Sequence, residues 1–536
     1  MSKNNRNITI IVSILLYFVL RCFIISNGGG ISAAYFFSSF NIIALFYFGV
    51  PVGTVEIVSK YVRERYSTNQ YINAKRVLYF GLISAVLYSL VAIGLIFAMS
   101  NADNLFLAGI NSVFSLRLLA PSVMFVSISA VFKGYFMGAK KKTLLNICFL
   151  SDFALALVGT IIFSKVFEDY GNKVVKVLYD NNVISGFFSG GVCIGITLGL
   201  MLGMIIHIVI YFVWGRTIED GIIKHVDDIY DLGNRMIADI FKFGCFNISY
   251  SLFIFALQVK FFDFKFESSF SEAFYESLNN YRFSLFFGIV LSVISLPVLF
   301  ARFYAYLDIR PIRIGYNSGD RQQIRSKVND MLRKCFIYTV PLCVYILVMA
   351  GSISGSLFGG VSSEAVRCIR FVSVFPILLC AGYILNSVLV GIKKINNSIL
   401  SGVAALVLGF LVMFIPAFKE NNLIGAICAL YVFGLTYFAL GLLFVIKYLK
   451  FNPDILICLV RPCICGAIIA VISILLNLLF SLFAPLPVRL IVIGIIDFVV
   501  AFIVYLKLGA FNASQLKRSP IGIILYPIAS LFSKRF

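Results

Sequence analysis

Charge is scarce in this chain: only 13% of its 536 residues are Asp, Glu, Lys or Arg, about half the roughly 25% of a soluble protein. Histidine is nearly absent, with His207 and His225 alone, so histidine-dependent catalysis has few candidates. No Walker A motif, ABC-type nucleotide site or H-E-x-x-H occurs, which removes the usual signatures of an ATPase and of a zinc protease. The twelve cysteines lie mostly inside apolar runs, and Cys463 and Cys465 form a C-x-C without Cys or His partners at metal spacing. They read as small apolar residues. The short alternating segments of a membrane barrel are missing. Arg21 interrupts the first apolar run, so Lys3 and Arg6 open a retained first helix instead of a signal peptide.

What the chain has is apolar length. Sixty per cent of it is hydrophobic, in recurring runs of about 20 residues, each long enough to span a bilayer. The expected fold is an all-α polytopic membrane protein of about fourteen transmembrane helices. The first two are 8–26 and 31–58, the second diluted by Asn41 and by Gly49 to Gly53. The net charge of +21 follows from topology, because cytoplasmic loops collect Lys and Arg, and no nucleic-acid partner is needed to explain it. With fourteen spans, 31 cations fall in the loops and helix ends of one side and 5 in the loops of the other. The basic side is cytoplasmic and holds both termini. Two long outer loops are expected, Phe167 to Gly190 and Asp263 to Ser277. The tail SPIGIILYPIASLFSKRF is too short to span and reads as an interfacial helix.

Two stretches recur. GVPVGTVEIVSKYVRERYS from Gly49 passes from an apolar run through Pro51 to a basic segment. SLPVLFARFYAYLDIRPIR from Ser295 does the same through Pro297, 246 residues on. LRLLAPSVMFVSISAVFKGYFMGAKKK from Leu116 matches IRFVSVFPILLCAGYILNSVLVGIKK from Ile369 at an offset of 253: Arg117 falls on Arg370, Gly138 on Gly391, Lys140 on Lys393 and Lys141 on Lys394. Six helices separate the copies, so the halves are parallel repeats. The expected organisation is a six-helix bundle at 1–216, a cytoplasmic linker at 217–240 and a second bundle at 241–450. Two extra helices follow at 451–509, then a tail at 510–536.

At these motifs the chain resembles a family. KGYFMGAKKKT (Lys133 to Thr143), the Gly-Val-Pro-Val entry at Gly49 and SVLVGIKKIN in the second half are similar to the MOP flippase superfamily. Fourteen helices and NYRFSLFFG (Asn280 to Gly288) are similar to its MurJ and SpoVB-like polysaccharide-transporter branch. The basic, proline-containing end of helix one in that branch is reduced here to Arg21 and Cys22. Asn280 and Tyr281 stand where it often has an acidic residue. The resemblance implies a monomer in a bacterial plasma membrane, moving a lipid-linked sugar or peptidoglycan precursor to the outer leaflet among membrane lipids. It implies no cofactor, the drive being membrane potential, protons or sodium.

Ionisable groups inside a bilayer are functional candidates, each with a plainer alternative. Arg21 and Arg282 either snorkel to headgroups or, as in the family's cavity, bind pyrophosphate through paired donors. Lys260 either assists them or pairs with Asp263, three residues on. Glu56 and Lys60, four apart, either pair locally or gate the cytoplasmic mouth together with Arg302. Asp152 and Asp497 have no sequence neighbour of opposite sign. They are either hydrogen-bonded or couple transport to a proton or sodium. His207 is read as a core histidine, with a proton relay as the alternative. Arg117 and Arg370 mark the outer interface. Three functions are weighed: a lipid-linked sugar flippase, a MATE-like cation-coupled multidrug exporter, which needs cavity carboxylates, and a membrane glycosyltransferase, which needs an external catalytic carboxylate or His.

Overall fold

In hydrocarbon every backbone N–H and C=O has to be bonded inside its own segment, so apolar runs fold as helices. The computed structural model describes residues 3–101, 107–180, 182–215, 229–262, 272–359, 362–415 and 422–509. Among them are helices and no strand, with thirteen stretches long and apolar enough to cross a membrane. The first, Ile11–Ser67, has 57 residues, about 86 Å if straight at 1.5 Å per residue, against a hydrocarbon core of about 30 Å. It is not straight. Gly29 takes φ 71° and ψ −176° inside α1 (Lys3–Phe48), a backbone conformation that costs glycine little. The break falls between the sequence spans 8–26 and 31–58.

The chain packs as two compact units. The N-terminal unit comprises Leu15–Leu20 and Gly28–Ser284. It holds α2 (Val50–Ser67), α3 (Tyr71–Ser100), α4 (Ile110–Leu119), α5 (Ser122–Gly138) and α6 (Lys142–Leu178). Then come α7 (Asn182–Ile210), a π-turn at Tyr211–Gly215, α8 (Ile229–Phe262) and α9 (Glu272–Phe283). Its tightest pair is α6 with α7, where small residues let backbones touch. A Cβ on Gly195 would press on the Gly159 carbonyl and lie 2.7 Å from Thr160 N. The loop expected at Phe167 to Gly190 is a correction: α6 stays helical to Leu178 and α7 starts at Asn182. Tyr170 and Phe187 meet edge to face at 5.3 Å, so aromatic packing carries the hairpin past the apolar runs. The glycines that dilute the second span have a packing role too. A Cβ on Gly53 would lie 2.6 Å from the Ile240 carbonyl of α8.

The C-terminal unit comprises Met1–Ile14, Arg21–Asn27 and Leu285–Phe536. A π-segment, Ser284–Val290, leads into α10 (Leu291–Asn317). Next are α11 (Arg321–Val348), α12 (Ala350–Leu357), α13 (Ser363–Val372), α14 (Phe375–Gly391), α15 (Ile395–Val412) and α16 (Asn422–Leu449). The chain then runs through a π-turn at Leu456–Val460 into α17 (Arg461–Phe480) and α18 (Leu486–Lys507). Ile337 of α11, Cys465 and Ile469 of α17 and Tyr505 of α18 form one buried cluster. The last two spans are 22% and 33% buried, against 72% for Ser363–Gly391. The first half of the expected linker and all of the interfacial tail lie outside the described residues, and the second half of the linker, from Ile229, is the start of α8.

The repeat is visible in the backbone. Both bounds of α4 recur in α13, and both bounds of α5 recur in α14, at the 253-residue offset. Lys140 and Lys393, at the same offset, both turn the chain with positive φ, 58° and 62°. By packing, Ile229–Phe262 groups with the N-terminal unit. The division into 1–216 and 241–450 is therefore a proposal about symmetry, carried by the repeat.

Gly195→Val should destabilise the protein by about 1–3 kcal/mol through overpacking. Gly94→Ala, with nothing within 4 Å of an added Cβ, should leave it unchanged. Thermal unfolding of the detergent-solubilised protein, followed by size-exclusion chromatography, compares the two.

Candidate functional site

The helical run from Glu272 to Asn317 carries α9, the π-segment and α10 without a gap. A π-segment shifts the carbonyl pattern by one residue and frees acceptors for side chains. Arg21 uses them. It is 6% exposed; its Nε donates to Ser292 Oγ at 2.6 Å, and an Nη donates to the Phe287 carbonyl at 3.0 Å. Ser292 in turn donates to the Gly288 carbonyl. Arg21 thus clamps the first helix onto the π-segment, and both of these acceptors are neutral oxygens.

Arg282, at the end of α9, and Lys260, near the end of α8, are half-buried and belong to the N-terminal unit. Their sequence neighbours Phe283 and Phe262 stack at 4.6 Å, which joins these two helix ends. Asp263, the expected local partner of Lys260, lies outside the described residues.

At the basic ends the expected Glu56–Lys60 pair is corrected. Lys60 instead meets Asp239 of α8 at 3.1 Å. Tyr61 donates to the same carboxylate oxygen at 3.3 Å, and Lys60 lies 5.0 Å from the Tyr61 ring centre. Asp239 escaped the sequence reading because it sits in a mixed-charge segment with no motif around it. Glu56 is half-buried, and the Arg302 side chain lies outside the described residues. Other cations cap helix ends: Arg325 donates to the Leu449 carbonyl at 2.7 Å, and Lys141 to that of Gly215 at 2.8 Å, where C-terminal carbonyls lack helical partners. Burial pulls the Lys141 ammonium below the ordinary lysine range. At the other end Arg117 donates to Ser100 Oγ and Asn101 Oδ1, and Arg370 is exposed, as interface markers would be.

Asp152 also differs from expectation, because it has partners that sequence distance hides. Lys133 of α5 pairs with its Oδ2, and His207 Nε2 of α7 lies 3.3 Å from its Oδ1. Asp152 is 5% exposed and His207 fully buried. His207 Nε2 also lies 3.1 Å from the Cys148 carbonyl, and the Lys133 ammonium sits 5.2 Å from the Phe149 ring centre. Gly203 makes the room: a Cβ there would stand 2.5 Å from Asp152 Oδ1. A lysine in the middle of an apolar run was the available signal. Asp497 has a simpler setting. It is 4% exposed and its Oδ2 accepts from Ser473 at 2.6 Å. No group of three or more potential metal-ligating side chains occurs among the described residues.

Several solved structures share this architecture. An inward-facing multidrug resistance MATE family transporter of the MOP superfamily aligns with a TM-score of 0.58 and 13% identity, over 84% of this chain and 99% of that one. A MOP superfamily transporter from Pyrococcus furiosus Vc1, described by a binding pocket of reverse polarity, aligns with a TM-score of 0.57 and 14% identity, over 84% and 98%. An outward-facing MATE family transporter gives 0.57 and 15%, over 82% and 94%. The chain has the fold of these transporters. No protein-family model matches the chain, and no curated protein matches it.

Because Lys60 and Asp239 are about one-third exposed, their coupling should be below about 1 kcal/mol and weaken with salt. A double-mutant cycle of Lys60→Ala and Asp239→Ala on thermal stability, at low and high ionic strength, measures it.

Proposed function

We propose that the chain is an alternating-access transporter that moves a polyprenyl-pyrophosphate-linked sugar from the cytoplasmic to the outer leaflet of a bacterial plasma membrane. The observation that supports this most is the sign of its membrane-embedded candidates. Arg21, Arg282 and Lys260 are cations, as a pyrophosphate requires, and a guanidinium matches phosphate oxygens with two parallel donors. Arg282 and Lys260 are the direct ligands in this reading. Arg21 holds the π-segment that follows Arg282. The sugar head follows a polar path while the polyprenyl tail stays in lipid. Buried charge is tolerated in this way only when paired or hydrated. Glu56, Lys60 and Arg302 are assigned to the cytoplasmic gate, where the Lys60–Asp239 pair would break and re-form. No cofactor is assigned, and membrane potential, a proton or sodium drives the cycle.

A second reading, a MATE-like exporter of cationic drugs, is favoured by the MATE neighbours. That reading needs carboxylates on the path. Asp152 is already neutralised by Lys133, and Asp497 is held by the Ser473 hydroxyl.

Complementation of a flippase-depleted strain tests the first reading, with membrane levels checked for each variant. Arg282→Lys should impair growth partly, Arg282→Ala severely, and Arg282→Glu most, because it repels phosphate. Full complementation by Arg21→Ala, Arg282→Ala would remove the phosphate site. Mass spectrometry of the copurifying lipid separates the flippase from the drug exporter.

A further inference from the structure

The two halves of the repeat treat one position differently. Lys133 on α5 and Asn386 on α14 are equivalent at the 253-residue offset, as are Cys148 and Ser401, and Asp152 and Ala405. Asn386 heads a neutral hub. Its Nδ2 donates to the Gly382 carbonyl at 2.9 Å and the Tyr437 carbonyl at 3.2 Å. Its Oδ1 accepts from Ser398 at 3.2 Å and from Ser401. In the first half the hub is Lys133, Asp152 and His207. The fold needs a polar tie between these helices at this depth, and the second half makes it without charge. Replacing a buried ion pair by neutral groups is often neutral or stabilising, so packing does not account for the charge.

Geometry narrows the ligand. His207 Nε2 faces the Cys148 carbonyl and Asp152, whereas Nδ1 has no hydrogen-bond partner among the described residues. A buried basic nitrogen left bare calls for an explanation. A metal cation would meet the Lys133 ammonium already on the carboxylate. A proton has no such conflict. The titratable groups around the site are Lys133 from α5, Cys148 and Asp152 from α6 and Tyr211 after α7. Tyr17 of α1 packs on Phe153, Arg63 of α2 lies 3.5 Å from the Met137 carbonyl, and α3 meets α5 through Gly81 and Val131.

We propose that Lys133, Asp152 and His207 form a proton-binding site in the first half of the repeat. One proton from water adds to the Nδ1 lone pair of His207. The resulting imidazolium keeps Nε2–H on the Cys148 carbonyl, 3.3 Å from Asp152 Oδ1; the Asp152 carboxylate stays paired with Lys133, and the site goes from net zero to one positive charge. Nδ1 is sealed in this conformation, so α5, α6 and α7 have to part for the proton to enter or leave. This ties protonation to conformation and rests on the alternating-access reading.

The full-length protein in nanodiscs, labelled with 15N-histidine, tests the site. His225→Gln leaves one histidine to observe. As the pH is lowered from 8 to below 4 the His207 ring should pass from neutral to imidazolium, and Asp152→Asn should abolish the conversion. A graft of the second-half hub, Lys133→Asn, Leu145→Ser, Cys148→Ser, Asp152→Ala, is the companion variant should Asp152→Asn fail to fold. It should elute as the unmutated protein does and show no conversion. A His207 ring that stays neutral throughout, or one that converts equally in the folded Asp152→Asn or grafted protein, overturns the proposal. The spectrum needs no substrate, so its failure is distinct from failure of the lipid-sugar reading, which complementation decides.

Discussion

Nothing inside a hydrocarbon layer offers a hydrogen bond to a stray polar group, and the rest of this structure follows from that constraint. Backbone groups close on themselves in helices. Where helices come closest they do so at glycine, because there is no hydrophobic force between them in lipid and dispersion contact has to serve instead. Gly195 against Gly159 and Gly53 against Ile240 are two such contacts. Side chains obey the same rule. Ser39 donates to the Ser112 carbonyl at 2.8 Å, and Gln258 joins Asn41 to the Ser38 carbonyl, so buried polar residues become ties between helices.

Charge is the costliest case, and the chain handles it in two ways. Lys133 and Asp152 neutralise one another within the N-terminal unit. Arg21 spreads its charge over oxygens of the π-segment and the start of α10. The first arrangement pairs two opposite charges, whereas the second satisfies guanidinium donors with hydroxyl and carbonyl oxygens. The repeat sharpens this contrast, because α5 and α14 share bounds and turn chemistry while their hubs differ in charge. Symmetry belongs to the backbone and chemistry to a few side chains.

The membrane helices, their repetition and the break near Gly29 were all legible in the sequence. Hydropathy, glycine placement and charge bias are local properties, and a bilayer imposes them along a single axis. The two repeated motifs could be matched by eye because equal helix lengths keep equal spacing. The extension of α6 to Leu178 was not legible, because polar residues beyond the apolar run look like a loop until an aromatic contact such as Tyr170 with Phe187 holds them helical.

Partners were beyond reach for a different reason. Glu56 looks like the mate of Lys60 at helical spacing, yet Asp239 takes the place from 179 positions away. Asp152 looks solitary, yet Lys133 and His207 reach it from the helices on either side. Which side chains meet depends on the rotation and vertical register of each helix against its neighbours, and those are set by the sum of all contacts in the packed unit. Composition and spacing by themselves determined a helical, repeated membrane chain. Only the tertiary structure decided which of its few charges are paired, and with whom.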